Sequence, residues 1–286
     1  MRFCGRDFTA EDMAQIHALI AAHPEAPRAA LSRLVCERLD WRAPDKRLKQ
    51  MSCRVAMLRM HAQGLIALPA PRKGNGNRNV YGRRTPEAEP PSELTVPPAD
   101  TLAHVALNLV ATTQASYLWN EYIDRYHYLG YRPLPGAQLR YFARADGSIV
   151  GLLGFGAAAW KAGPRDQFIG WSAQQRMRHL HLVVNHARFL VLPWVRVPNL
   201  ASRLLSLAHR SLQRDWQERY AYRPVLLETF VETPRFHGTC YKAANWTCLG
   251  LTQGRGKLDR YHRAQLPKKT IWVYPLMKNF RRVLCS

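Results

Sequence analysis

The chain has 286 residues, with 42 Lys and Arg against 20 Asp and Glu, a formal net charge of +22. That excess goes beyond the needs of solubility and implies a polyanionic partner; because the cations are spread along the chain and not gathered on one amphipathic helix, nucleic acid is expected ahead of a membrane surface. No stretch is long and apolar enough to cross a bilayer, the first residues lack the apolar core of a secretory signal, and the cysteines (Cys4, Cys36, Cys53, Cys240, Cys248, Cys285) show neither a CxxC pair nor zinc spacing, so free thiols in a reducing cytoplasm are expected.

Residues 1–83 read as three helices and a strand. Thr9 is a predicted cap, with Glu11 and Asp12 in the first turn of a helix whose apolar positions are Met13, Ile16, Leu19 and Ile20. Pro27 opens a second helix carrying Leu31, Leu34, Val35 and Leu39. Pro44 and Asp45 open a third, with Leu48, Met51, Val55 and Leu58 as its apolar stripe and Arg47, Lys49, Arg54 and Arg59 on its other faces. Gly64 ends it, residues 65–69 read as a short strand, and residues 71–79 form a basic, glycine-containing loop with Arg72 and Lys73. This is the order of a winged helix-turn-helix, in which the last helix enters the major groove and the wing lies on the backbone. The six cations named here are then candidate DNA contacts, the alternative being a small helical bundle with a solvated basic face. Residues 84–99 carry Pro86, Pro90, Pro91, Pro97 and Pro98, and such a stretch reads as a semi-rigid linker.

Residues 100–286 mix helix and strand. A helix is predicted over Leu102–Tyr128, with Trp119, Tyr122, Ile123 and Tyr126 on one side. Gly130–Gly136 breaks it, and Asp146-Gly147 joins two strands into a hairpin. Residues 179–184 and 187–192 are strand-like, Pro198 or Asn199 opens a helix through Leu200, Leu204, Leu205 and Leu212, and residues 224–232 and 271–276 are further strands.

Chemistry concentrates in three places. In Gly238–Asp259, the polar groups of Thr239, Tyr241, Asn245 and Asp259 stand among Gly238, Gly250, Gly254 and Gly256. Arg255, Lys257 and Arg260 add positive charge where glycine exposes backbone N–H groups, which suits a phosphate; a hairpin tip with solvated charge is the alternative. Glu228 and Glu232 share a strand face with Phe230 between them. Two such carboxylates can hold Mg²⁺ or Mn²⁺ or act as a base, with Tyr241 as the nucleophile on a phosphodiester and Asp259 completing the site; for each acid a salt bridge is the alternative. Finally, His179-Leu180-His181 on a strand would present both imidazoles on one face, as in the metal sites of HUH endonucleases. With 11 histidines in the chain such a triplet also arises by chance.

The order hairpin, strand, turn, helix, strand resembles the core of the GNAT acyltransferase fold. There a Gln/Arg-x-x-Gly-x-Gly/Ala loop at a helix N-terminus holds the pyrophosphate of coenzyme A. Here Arg196–Ala201 occupies that place, with Asn199 where glycine is expected. Asparagine tolerates positive φ, so the loop can keep its shape, but the departure implies that acyl-coenzyme A is not retained. A closer resemblance lies in Phe189–Ser202, Glu228–Glu232 and Gly238–Trp246, which look like the blocks of the DruA-like family, whose named member belongs to the Druantia anti-phage system and whose relatives resemble transposase-associated domains. The resemblance implies work on DNA in defence or in mobile elements, with other proteins of such a system as partners, and supplies no catalytic residue.

The fold expected is therefore α+β: a winged helix-turn-helix over 1–83, a linker over 84–99 and a GNAT-like core over 100–286. The leading expectation is strand cleavage or transfer, with Arg196 and Asn199 holding a nucleic-acid phosphate in place of coenzyme A. An acyltransferase acting on a base or a protein amine, and a DNA-binding adaptor without chemistry, are the alternatives.

Overall fold

The computed structural model describes residues 1–71, 84–91, 104–254 and 266–286. The chain separates into two compact units, Met1–Asn79 and Val80–Ser286.

In the first unit β1 (Arg2–Phe3) and β2 (Arg6–Asp7) form a small antiparallel pair. Helix α1 (Ala10–Ala22) starts with the predicted cap: Thr9 Oγ1 accepts from the Asp12 N–H at 3.1 Å, and the Asp12 carboxylate accepts from the Thr9 N–H at 3.0 Å. With α2 (Arg28–Arg38) and α3 (Gln50–Ala62) it encloses Ile16, Leu31, Val35, Met57 and Met60, and Phe8 meets Trp41 edge-on at 5.5 Å.

Three expectations for this unit change. Helix α3 starts at Gln50 and not near Pro44, because Arg42 and Leu48 pair across a turn in which Lys46 has φ 63°. Its buried side is Cys53, Ala56, Met57 and Met60; of the predicted stripe, Leu48 precedes the helix and packs on the core, while Met51, Val55 and Leu58 face outward, with Met51 65% exposed. Both sets follow helical spacing, so periodicity could not choose between them; the small Ala56 and pliable methionines fit the contact with α2. The connection between α2 and α3, residues 39–49, is also longer than the roughly three to four residues of a helix-turn-helix. No strand is formed at 65–69, and the wing residues Arg72 and Lys73 lie outside the described residues. What the described residues show is a three-helix unit.

The second unit begins, among the described residues, with a segment expected to be part of the semi-rigid linker. Residues 84–91, including a 3₁₀ turn at Pro86–Ala88, lie on α4 (Thr113–Tyr126). The Thr85 N–H and hydroxyl both donate to the Glu121 carboxylate, at 2.6 and 2.9 Å, and the hydroxyls of Tyr122 and Tyr126 donate to the carbonyls of Glu87 and Ala88, each at 2.6 Å. The helix predicted from Leu102 gives way to strand β3 (Val105–Leu109), and α4 starts only after Thr112, whose Oγ1 accepts from the Ala115 N–H at 3.1 Å.

The sheet contains β3, β4 (Leu139–Ala145), β5 (Ser148–Ala157), β6 (Val183–Val191), β7 (Leu226–Glu232), β8 (Thr247–Leu251) and β9 (Lys269–Pro275), in the order β3-β4-β5-β6-β7-β9-β8. Asp146 and Gly147 both take positive φ, as the predicted two-residue hairpin requires. One face packs on α7 (Leu200–Tyr220) through Leu204, Leu205, Leu212 and Trp216; Trp119, Tyr122 and Ile123 of α4 cover Phe142, Leu152 and Leu190 on the other. Short helices α5 (Gly163–Ile169), α6 (Ala173–His179), α8 (Thr239–Ala243) and α9 (Phe280–Leu284) complete the unit. Among the described residues no helix is long and apolar enough to cross a membrane.

Every pair in the sheet is antiparallel except β6–β7, which is parallel and short: Val183 pairs with Leu226, Val184 with Leu227 and Asn185 with Glu228. Beyond those pairs β6 stays with β5 and β7 stays with β9, and a wedge opens between them.

Candidate functional site

The wedge starts at His186 and Thr229, where the Thr229 hydroxyl donates to the His186 carbonyl at 2.9 Å. On the α7 side it is filled by Tyr241 of α8. Its hydroxyl lies 3.2 Å from His186 Nδ1 and 3.5 Å from Thr229 Oγ1, and its ring meets Trp246 at 5.1 Å and Phe189 at 6.2 Å. Gly238 makes this arrangement possible. It turns the chain into α8 at φ 71°, and a Cβ there would lie 2.7 Å from the Trp272 ring, so only glycine fits. Tyr241 is consequently 6% exposed, and burial holds its phenol well above the usual value. His186, stacked on Phe155 at 4.5 Å, is lowered to about 3 by burial and is neutral at pH 7. This protonated phenol is enclosed and already bonded to a histidine, whereas the expectation for Tyr241 requires an accessible nucleophile.

Glu228 is enclosed as well. Successive residues of β7 alternate between faces: Leu227, Thr229 and Val231 face α7 and Tyr241, so Glu228 and Glu232 point the other way. Glu228 is fully buried against the fully buried Arg165, at 2.6 Å, and also accepts from the Ala159 N–H at 2.6 Å. Arg165 is further held by Asp166 at 2.7 Å and by the Ala159 carbonyl at 2.8 Å. Burial raises the Glu228 carboxyl, with the Arg165 charge and the Ala159 N–H pulling against it. Its oxygens are already partnered, and it lies on the far side of the strand from Tyr241.

Glu232, by contrast, reaches the open end of the wedge, 3.7 Å from Arg235 and 3.8 Å from Lys269. Around it the end of α4 and the start of the β7–α8 loop bring together residues that sequence reasoning missed. His127 ends α4, and its Nδ1 accepts from the Leu129 N–H at 3.2 Å; burial, with the nearby charges of Arg188 and Lys269, lowers it to about 4. Tyr128 stacks on His127 at 4.9 Å, meets Phe236 at 5.2 Å and carries the Arg235 guanidinium at 5.1 Å. Arg188 enters from β6 with a buried Nε that has no hydrogen-bond partner among the described residues. The signal was present in the sequence as aromatic rings next to cationic or imidazole side chains at 127–128 and 235–236, two positions remote in sequence.

The remaining predicted residues are dispersed. Asn199, at the start of α7, has φ 62° and ψ 2°, so the loop holds the left-handed conformation that its glycine-like position requires; it and Arg196 are exposed. His179 ends α6 and bonds the Ser286 carbonyl at 3.0 Å, while His181 sits in a 3₁₀ turn with its ring edge-on to Tyr222 at 5.1 Å. The triplet is helical and not extended, so it does not present two imidazoles on one strand face. Among the described residues no group of three or more His, Cys, Asp or Glu could hold a metal ion. Arg47, Lys49 and Arg59 are exposed and Arg54 is half-buried. Arg255, Lys257, Asp259 and Arg260 lie outside the described residues.

Comparison with known proteins gives a family and a set of distant folds. A family model described as Druantia protein DruA matches residues 60–264. Among solved structures, the chain is similar to an aminoglycoside acetyltransferase in complex with coenzyme A, with a TM-score of 0.41, 15% identity, and coverage of 62% of this chain and 98% of that one. It is also similar to a spermidine N-acetyltransferase chimera from Vibrio cholerae and hSSAT (TM-score 0.39, 9% identity, 60% and 96% covered). A ribosomal-protein alanine N-acetyltransferase from Escherichia coli gives a TM-score of 0.39, 10% identity, and 60% and 94% coverage. No curated protein matches the sequence.

Proposed function

The chain belongs to the DruA family, the family of the Druantia protein DruA, and from that premise we propose that it serves anti-phage defence by binding DNA, with the basic mouth of the β6–β7 wedge as the contact made by its core. The observation that carries this reading is the charge: 42 cations against 20 acids. Several of those acids are spent internally, since Glu121, Asp215 and Glu228 are buried and bonded to arginines or to the backbone and other polar side chains, leaving the cationic excess to the surface. Strand cleavage by Tyr241 with a metal on Glu228 has little support in this geometry, because the phenol and the carboxylate are enclosed on opposite faces of β7. Cleavage chemistry, with Mg²⁺ or Mn²⁺, would have to rest on Glu232 and on Asp259.

A second reading has one observation in its favour. Asn199 adopts the left-handed conformation at the N-terminus of a 21-residue helix, as the pyrophosphate loop of an acyltransferase would require. A saturable rise in melting temperature with acetyl-coenzyme A would support that reading.

The DNA-binding reading is tested by fluorescence anisotropy with labelled duplex and single-stranded DNA over a range of salt. The expected result is a logarithm of affinity that falls linearly with the logarithm of salt concentration, as phosphate neutralisation releases counterions. No binding to either DNA at low salt would refute the proposal. The same DNAs incubated with Mg²⁺ or Mn²⁺, using the parent chain and Tyr241→Phe, report on cleavage; equal cleavage by both proteins would remove Tyr241 from any mechanism.

A further inference from the structure

We infer that the mouth of the wedge is a stacking site for the unpaired bases of a single-stranded nucleic acid, with Phe236 as the platform. This rests on the DNA-binding reading and specifies the form of nucleic acid the core takes.

Three features coincide there. The first is an aromatic cluster with an open side: the His127 ring stacks on Tyr128 and the Arg235 guanidinium lies over Tyr128 at 5.1 Å, so Tyr128 is held by two neighbours. Phe236, tilted by 60° against Tyr128, remains 44% exposed, and Tyr128 is 38% exposed. A large apolar ring left open to water and braced by a second ring offers a face to any base that can leave its own stack. The second is charge. Arg188, Arg235 and Lys269 stand around the cluster, with Arg132 near Arg188; of the acids close by, Glu232 lies 3.7 Å from Arg235 and 3.8 Å from Lys269, and Asp124, beside Gly130, is paired with Arg84. Such cations track a phosphate backbone, whereas the rings contact bases. The third is placement. The His127–Gly130 turn is closed by the Gly130 N–H donating to the His127 carbonyl at 2.8 Å, and the 232–236 turn by the Phe236 N–H donating to the Glu232 carbonyl at 2.9 Å, so both sets of side chains stand on backbone held by its own hydrogen bonds.

A duplex keeps its base faces stacked and offers a ring like Phe236 only phosphate and groove edges. A single strand offers both base faces and charge, and the combination of stacking rings with surrounding cations is what sequence-tolerant single-strand binding uses.

The test compares three labelled DNAs of equal length: an oligo-dT strand, a strand of the same charge whose nucleotides are abasic, and a duplex. Each is titrated against the full chain and against Phe236→Ala and Tyr128→Ala, with melting temperatures checked. Both rings are exposed enough that the substitutions are expected to leave folding intact; Phe236→Trp is a control that keeps a platform. The expected result is oligo-dT bound at least tenfold more tightly than the abasic strand, a preference lost in Phe236→Ala, reduced in Tyr128→Ala and kept in Phe236→Trp. Equal binding of oligo-dT and the abasic strand would leave DNA binding standing and overturn base stacking. Preferred duplex binding unaffected by Phe236→Ala would overturn the single-strand assignment. Failure of all three DNAs to bind at low salt would overturn the reading on which this one rests.

Discussion

Replacing Glu228 by Gln separates a structural carboxylate from a catalytic one. The Glu228 and Arg165 side chains are both at 0% exposure and meet at 2.6 Å. Removing one charge from a buried pair costs about 3–5 kcal/mol, because the other is left without its partner in a medium that solvates it poorly. Here the Asp166 carboxylate and the Ala159 carbonyl still hold the guanidinium, and glutamine keeps the volume and an oxygen for the Ala159 N–H, which places the cost near the lower end, about 3 kcal/mol. A domain of this size melts about 2–4 °C lower per kcal/mol, so Glu228→Gln is expected to lower Tm by roughly 6–12 °C. The assay is thermal unfolding followed by circular dichroism, beside DNA affinity measured well below the transition, which should not change. A Glu228→Gln chain that melts with the parent while losing a metal-dependent activity would refute this account and return Glu228 to the reaction.

Three further outcomes follow from the structure. Asn199→Gly should leave stability nearly unchanged, whereas Asn199→Val should cost about 1–2 kcal/mol in urea unfolding, because position 199 sits at φ 62°; the reverse order would contradict the left-handed assignment. Gly238→Ala should cost about 2–4 kcal/mol and perturb tryptophan fluorescence, since its Cβ would enter the Trp272 ring at 2.7 Å; a neutral result would show that the turn into α8 is looser than described. Finally, His127, His186 and, on α7 beside Trp246, His209 are held below the ordinary histidine value mainly by burial, at about 4, 3 and 4. The unfolded chain therefore binds protons that the native chain does not, so the stability they contribute is present above about pH 6.5 and is lost as pH falls toward 4. The slope is about 1.4 kcal/mol per pH unit for the fully buried His186, and a urea midpoint that stays flat from pH 6.5 to about 4.5 would refute it.

What the sequence determined by itself was local or compositional. The charge balance, the Thr9 cap, the Asp146-Gly147 hairpin and the ability of Asn199 to stand in a left-handed position each depend on one residue type and its immediate neighbours, and the structure contains all of them in the predicted form. Tertiary packing decided the rest. Helix α3 carries two apolar stripes of the same period, and contact with α2 selected the one containing Met57 and Met60. Residues 105–109 became a strand because β4 offered an edge to pair with. Glu228 and Tyr241 look adjacent and reactive in the chain, yet strand alternation sends the acid to Arg165 and the phenol to His186, on opposite sides of the sheet. The cluster at the mouth of the wedge was invisible beforehand because His127, Arg188 and Phe236 are brought together by the separation of β6 from β7, a long-range event that no window of sequence contains.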